Sequence, residues 1–209
     1  MMSRTSFKRK AAVFAALCSI NFPSLAETPG SANATGPAAS GTMSMSPAHP
    51  AGKLPTTLSG WADGAQMFEG MGNFHRKVTT NSDVAQAYFD QGMRFLWAFN
   101  HDEATRSFAK AAQIDFHCAM CYWGVALTIG PNYNVPMMAD LRGKVGWEAL
   151  GLAQQHAKTA SPLERALIAA LASRYSGSQA LDPSNQGPVL VAYAQAMKDV
   201  ARTFPNDGS

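Results

Sequence analysis

The chain holds little with which to do chemistry. Its 209 residues include three cysteines and five histidines, and only 15% are charged. Cys118 and Cys121 form one C-x-x-C spacing, and no second C-x-x-C or H-x-x-H accompanies it, so the four ligands of a structural zinc site are not there. Haem attachment needs a histidine straight after the second cysteine, and Tyr122 occupies that place. Gly70-Met71-Gly72 lacks the helix and lysine that make a phosphate-binding loop. No stretch alternates in the manner of a strand, so the β-strand that precedes a thioredoxin-like C-x-x-C is missing. Nothing nominates a Ser-His-Asp set. An excess of one charge is also lacking. The formal +3 arises from 17 basic and 14 acidic residues, and Arg4, Lys8, Arg9 and Lys10 contribute four of the former. Without them 13 basic residues face 14 acidic ones, a net −1, which gives no electrostatic case for nucleic acid or acidic lipid.

What is present begins with a leader. Basic residues end at Lys10, an apolar run covers Ala11 to Ile20, and Ser24-Leu25-Ala26 places small residues where a signal peptidase reads. The run is too short to span a bilayer. Residues 1–26 are therefore expected to be a signal peptide cleaved near Ala26, leaving a periplasmic or secreted protein without stable membrane insertion. Two alternatives remain at this point: lipidation at Cys18, although Ala15-Ala16-Leu17 does not form a lipobox, and an uncleaved anchor. Residues 27–60 are rich in Gly, Ser, Ala, Thr and Pro and read as a disordered linker. Met43, Met45 and His49 within it are copper-type ligands in a segment whose composition alone explains them. Asn33-Ala34-Thr35 is a glycosylation sequon, meaningful only in a eukaryotic secretory pathway.

The rest is expected to be all-α. A short helix over Trp61–Phe68 and an extended lead-in at Phe74–Val78 fill residues 61–81. Asn81-Ser82-Asp83 then caps a helix on which Tyr88, Gly92, Phe95, Leu96 and Phe99 share one face. Asn100 with Glu103 reads as a capping box for a second helix, carrying Ala104, Phe108 and Ala111 and ending near Asp115. A third helix from about His117 carries Tyr122, Val125, Ala126 and Ile129 and stops at Gly130-Pro131. Another is expected from Asp140 to Thr159, with Gly143, Gly146 and Gly151 weakening its first half. Ser161-Pro162-Leu163-Glu164 opens a further helix to about Tyr175, and the last runs from about Pro188 to Thr203. Trp97, Trp123 and Trp147 at helical positions are expected in the core.

The stretch from Tyr88 to Ile129 resembles a tetratricopeptide repeat. Gly92 and Ala104 stand at the small positions where paired helices touch, and Phe95, Phe108 and Ala111 at the interlocking ones, with the clearest repeat at 85–118. Phe116 stands where the family often has proline. One repeat length further on, Tyr122 and Ala126 match a second first helix, whose partner is displaced by the insert Pro131–Met138. Ala194–Pro205 is a more divergent piece. The wording AFNHDEA, CYWG and GPNYN resembles a group of exported bacterial proteins with such repeats. The resemblance implies an α-solenoid of antiparallel helix-turn-helix repeats over 82–209. It also implies a scaffold for a protein or peptide partner, with no catalytic activity and no cofactor. Since a stack needs about three units and a cap, a truncated chain or pairing with a second copy is expected. Gln91, Arg94 and Asn100 are guesses for a concave binding surface.

One alternative keeps chemistry in view. His117, Cys118 and Cys121 are the candidate metal ligands or redox pair, since a thiol at a helix N-terminus has a lowered pKa. The competing reading makes both cysteines small apolar residues of a repeat helix, closed into a local disulfide after export. His101 is expected as a solvated residue of the turn between the first two repeat helices, and His75 and His156 have no partner that the sequence identifies.

Overall fold

The computed structural model describes residues 54–132, 140–179 and 186–207. The leader with Cys18, most of the linker with Met43, Met45 and His49, and residues 133–139, 180–185 and 208–209 lie outside them. Among the described residues there are seven α-helices and no strand. They are α1 (Leu58–Asp63), α2 (Asp83–Trp97), α3 (His101–Ile114), α4 (Ala119–Ile129), α5 (Asp140–His156), α6 (Pro162–Ala172) and α7 (Gln186–Thr203). No helix among them is long and apolar enough to cross a membrane.

The helix starts follow from side-chain chemistry. Ser82 accepts from the Ala85 amide at 3.2 Å to open α2, supplying a partner to an amide that no helical carbonyl can reach. Ser161 and Glu164 complete a reciprocal capping box at α6, with Pro162 in its first turn. At α3 the box is half made. Asn100 accepts from the Glu103 amide at 3.3 Å, but the Glu103 carboxylate pairs with Arg106 at 3.2 Å instead of returning to Asn100. The Asn100 amide is already spent on the Phe95 carbonyl at 2.9 Å.

Phe108 is the hub. It lies on α3, fully buried, 5.3 Å from the Phe89 ring of α2 and tilted against it. A Cβ added to Gly92 would stand 2.6 Å from the Phe108 ring. One added to Gly124 of α4 would overlap the same ring. Two glycines thus let α2 and α4 approach α3 closely enough for a single phenyl ring to fill both interfaces. Ala104, Ala111 and Ala126 are buried, whereas Tyr88 and Phe95 pack only partly against the core. Tyr122 is buried as well.

Several expectations need correction. The linker does not reach residue 60, because α1 begins at Leu58, capped by Thr57. Residues 64–68 are not helical. Trp61 of α1 is fully buried beneath two guanidinium groups, Arg106 at 5.3 Å and Arg142 at 5.5 Å from its ring centroid. In α5 the glycines do not interrupt the helix, which is followed by a 3-10 turn at Ala157–Thr159. Gly146 is there for contact: an added Cβ would lie 2.6 Å from the Tyr175 hydroxyl and 2.8 Å from Ile129. That hydroxyl donates to the Ala126 carbonyl at 2.5 Å, tying the segment after α6 to α4. Of the three tryptophans expected inside, only Trp123 is buried, donating to the Leu167 carbonyl at 3.3 Å. Trp97 and Trp147 are exposed. Phe99 lies beyond the end of α2, so it shares no helical face with Tyr88.

Candidate functional site

Gln91 and Arg94, guessed to line an open groove, are occupied by the protein's own lead-in. Gln86, Asp90, Gln91 and Arg94 recur along α2 at spacings that keep them on one side of the helix. Each grips the main chain of the preceding extended segment. The Gln86 side chain accepts from the Val78 amide at 3.0 Å and donates to the Arg76 carbonyl at 2.8 Å. Asp90 accepts from the Arg76 amide at 3.1 Å. Gln91 accepts from the Phe68 amide at 2.7 Å and donates to the Gln66 carbonyl, also at 2.7 Å. Arg94 donates to the Phe74 carbonyl at 2.7 Å. Gln91 is fully buried and presents nothing to a partner. Asn100, the third guess, is exposed but serves as the N-cap of α3. His75 is set by the same network, its Nδ1 lying 2.7 Å from Asp90 Oδ2.

The cysteines are joined. Cys118 and Cys121 form a disulfide at the start of α4, and both residues are fully buried. Cys118 Sγ also accepts from the Cys121 amide at 3.2 Å. An attacking thiolate needs access to a sulfur, and these sulfurs are covered. His117 lies on the surface, its ring 5.3 Å from that of His156, which stacks at 5.8 Å on Tyr122. Among the described residues no three His, Cys, Asp or Glu side chains come together as a metal-binding group. Disulfide sulfurs are not thiolates, so in this state His117 has no ligating partner in the pair.

The turn between α2 and α3 is the most unusual local structure. Phe99 has φ 60°, the one non-glycine residue with positive φ among the described residues. Its amide donates to Leu96 at 3.1 Å while the Asn100 amide reaches back to Phe95. These are the two bonds of a Schellman cap, in which glycine ordinarily takes the left-handed position. Here a phenylalanine takes it and pays the steric strain. The ring is 66% exposed, Trp97 beside it is 63% exposed, and neither is called on by the core. Phe99 meets the His101 ring edge-on at 6.4 Å.

Next to this turn is a cavity of about 540 Å³ between α7 and the ends of α2 and α4. Leu96, Leu127, Val189, Leu190 and Tyr193 give it apolar walls, and His101 and Arg174 line it too. Burial lowers the His101 pKa, Asp102 opposes that, and the Arg142 and Arg174 charges reinforce it. The ring is therefore neutral at pH 7, and its Nδ1 is buried with no hydrogen-bond partner. Arg174 lies 5.1 Å from the Tyr193 ring centroid and donates to the carbonyls of Leu127 and Pro131. Burial raises the Tyr193 hydroxyl pKa, against the opposing influence of Arg174. Sequence reading missed this site because its parts come from five separate segments. His101, expected as a solvated turn residue, instead begins α3 and is partly buried against this cavity, because α7 and the end of α4 pack over it.

Comparison with protein families, with curated proteins and with solved structures finds no match to this chain.

Proposed function

We propose that this protein is an exported, non-enzymatic binding module built of tetratricopeptide-like helical hairpins, and that it engages a protein or peptide partner through the turn between α2 and α3. The observation that carries the reading is the pair Trp97 and Phe99, two large aromatics presented to solvent two residues apart. Exposed aromatics of this size anchor protein interfaces far more often than chance, since each buries a large rigid surface at little entropic cost. The strain at Phe99 supports the same reading: a left-handed aromatic is held where glycine would sit more comfortably, so the ring has a use that the fold itself does not supply. The α2 face that would serve a peptide groove is filled by residues 66–78, which moves the docking surface to the hairpin end. Export rests on the leader at 1–26, and the absence of a catalytic constellation in the sequence motivates the non-enzymatic reading.

The test is affinity capture from the exported fraction with three immobilised proteins: wild type, Trp97→Ser and Phe99→Gly. A specific partner should be retained by wild type and lost from both variants. Retention by both variants at wild-type level would remove the aromatic turn from the interface.

A further inference from the structure

We propose that the cavity between α7 and the ends of α2 and α4 is a binding site for an amphipathic carboxylate of the fatty-acid type. Its volume of about 540 Å³ lies within the range of roughly 300–1,000 Å³ typical of small-ligand sites. The walls would suit an unbranched apolar chain: Leu96 and Leu127 on one side, Val189 and Leu190 of α7 on the other. Such surfaces leave water poorly bonded and favour a hydrocarbon occupant.

The head group follows from charge. Three charged side chains set the field at His101: Asp102, Arg142 and Arg174. Asp102 is taken by Arg142 at 2.5 Å. Arg174 has no carboxylate within 4.0 Å among the described residues; its partners are two carbonyls and the ring and hydroxyl of Tyr193. Among the described residues one guanidinium charge at a largely apolar cavity therefore has no carboxylate counter-ion, an arrangement that an incoming anion stabilises. A single cation among apolar walls matches a carboxylate better than a multiply charged phosphate, and the apolar lining disfavours a bare inorganic anion. This site shares no variant with the proposed protein interface, so the two ideas fail separately.

The experiment is a calorimetric titration of the full chain with decanoate, and with decanol and decylamine as matched probes, each below its micellar concentration. Saturable one-to-one binding of decanoate is expected, about tenfold or more tighter than decanol, since a charge-assisted hydrogen bond is lost with the alcohol. Arg174→Gln should erase that preference while Arg174→Lys retains part of it. Leu190→Trp should weaken decanoate and decanol together by filling the cavity. Leu190 is half-exposed, so this variant tests occupancy without emptying the core. Because Arg174 also holds the carbonyls after α4, circular dichroism melting must show each variant folded; an unfolded Arg174→Gln leaves the decision with Arg174→Lys and Leu190→Trp. Absence of saturable decanoate binding to wild type, equal affinity for decanol, or decanoate binding unchanged by Leu190→Trp would each overturn the proposal.

Discussion

Replacing Phe99 with glycine should separate folding from partner binding. The left-handed conformation costs a non-glycine residue about 1–2 kcal/mol, and glycine removes that cost. Against it, glycine frees the unfolded chain by about 0.5–1 kcal/mol. The edge-on contact between the exposed Phe99 ring and the partly buried His101 ring is worth about 0.5 kcal/mol. The three terms nearly cancel, so the stability of Phe99→Gly should lie within about 0.5 kcal/mol of wild type. Over a domain of this size that is a melting shift of no more than about 2 °C. A phenylalanine used by the core behaves otherwise, with truncation costing about 3–5 kcal/mol. If the ring anchors a partner, binding should weaken by about 2 kcal/mol or more, roughly 30-fold in Kd. Urea titration measures the first quantity and solution affinity for the captured partner the second. A stability loss near 3 kcal/mol would show that the ring is packed and refute the argument from exposure. Unchanged affinity would refute the argument from strain.

Gly124→Ala should destabilise by about 1–3 kcal/mol, because its new methyl overlaps the Phe108 ring, and Phe108→Leu in the same chain should recover part of the loss; thermal melts of the single and double variants decide it. Cys121→Ser should cost about 2 kcal/mol by reopening a loop of so few residues, while the helical circular dichroism persists; thiol titration should find no reactive thiol in the native wild type, and ready labelling would contradict the burial. Burial pushes the Glu164 carboxyl up, but hydrogen bonds from the Thr79 hydroxyl and amide and the Ser161 amide outweigh it and hold the pKa below the ordinary 4.5. A depressed carboxylate contributes stability that is whole above the unfolded value and is lost as pH falls through the folded one. Urea midpoints from about pH 6 to about pH 3 should therefore fall more steeply for wild type than for Glu164→Gln, and parallel curves would place the acid sensitivity elsewhere.

Caps and close contacts were readable in the sequence because they are local. Ser82, Asn100 and the Ser161–Glu164 box satisfy amides within three residues, and each stands at a helix start. Gly92, Ala104 and Phe108 carried the signal of two helices meeting, and all three are buried. What escaped reading depends on distant partners. Gln91 looked like a surface residue because glutamine is polar, yet its amide is satisfied by the main chain of residues 66 and 68 and by Ser107. Trp61 sat in a helix of only six residues, and its burial comes from α3 and α5 through Arg106 and Arg142. Trp97 and Trp147 followed helical periodicity, but the described elements leave both exposed, Trp147 meeting only the Tyr175 ring at 6.5 Å, which periodicity cannot reveal. The cavity draws on segments from Leu96 to Tyr193, and no sequence pattern ties them together.

The lead-in is held to α2 largely through its backbone, with His75 on Asp90 and Phe68 on Phe95 as side-chain additions. The grip of Gln86, Asp90, Gln91 and Arg94 is indifferent to which residues stand at 66, 68, 74 and 76, provided an amide hydrogen is present at 68, 76 and 78. Side-chain identity is released from this grip most fully at exposed Gln66, since Phe68 also packs on Phe95, Phe74 on the core and Arg76 on Asp207. Proline is the exception: at 68 or 76 it would leave a carboxamide or carboxylate oxygen without its donor and peel the strap from the helix. The exposed positions of the segment, such as 66, 67 and 69, are thus places where new surface chemistry can be written onto this protein while the backbone grip keeps its position.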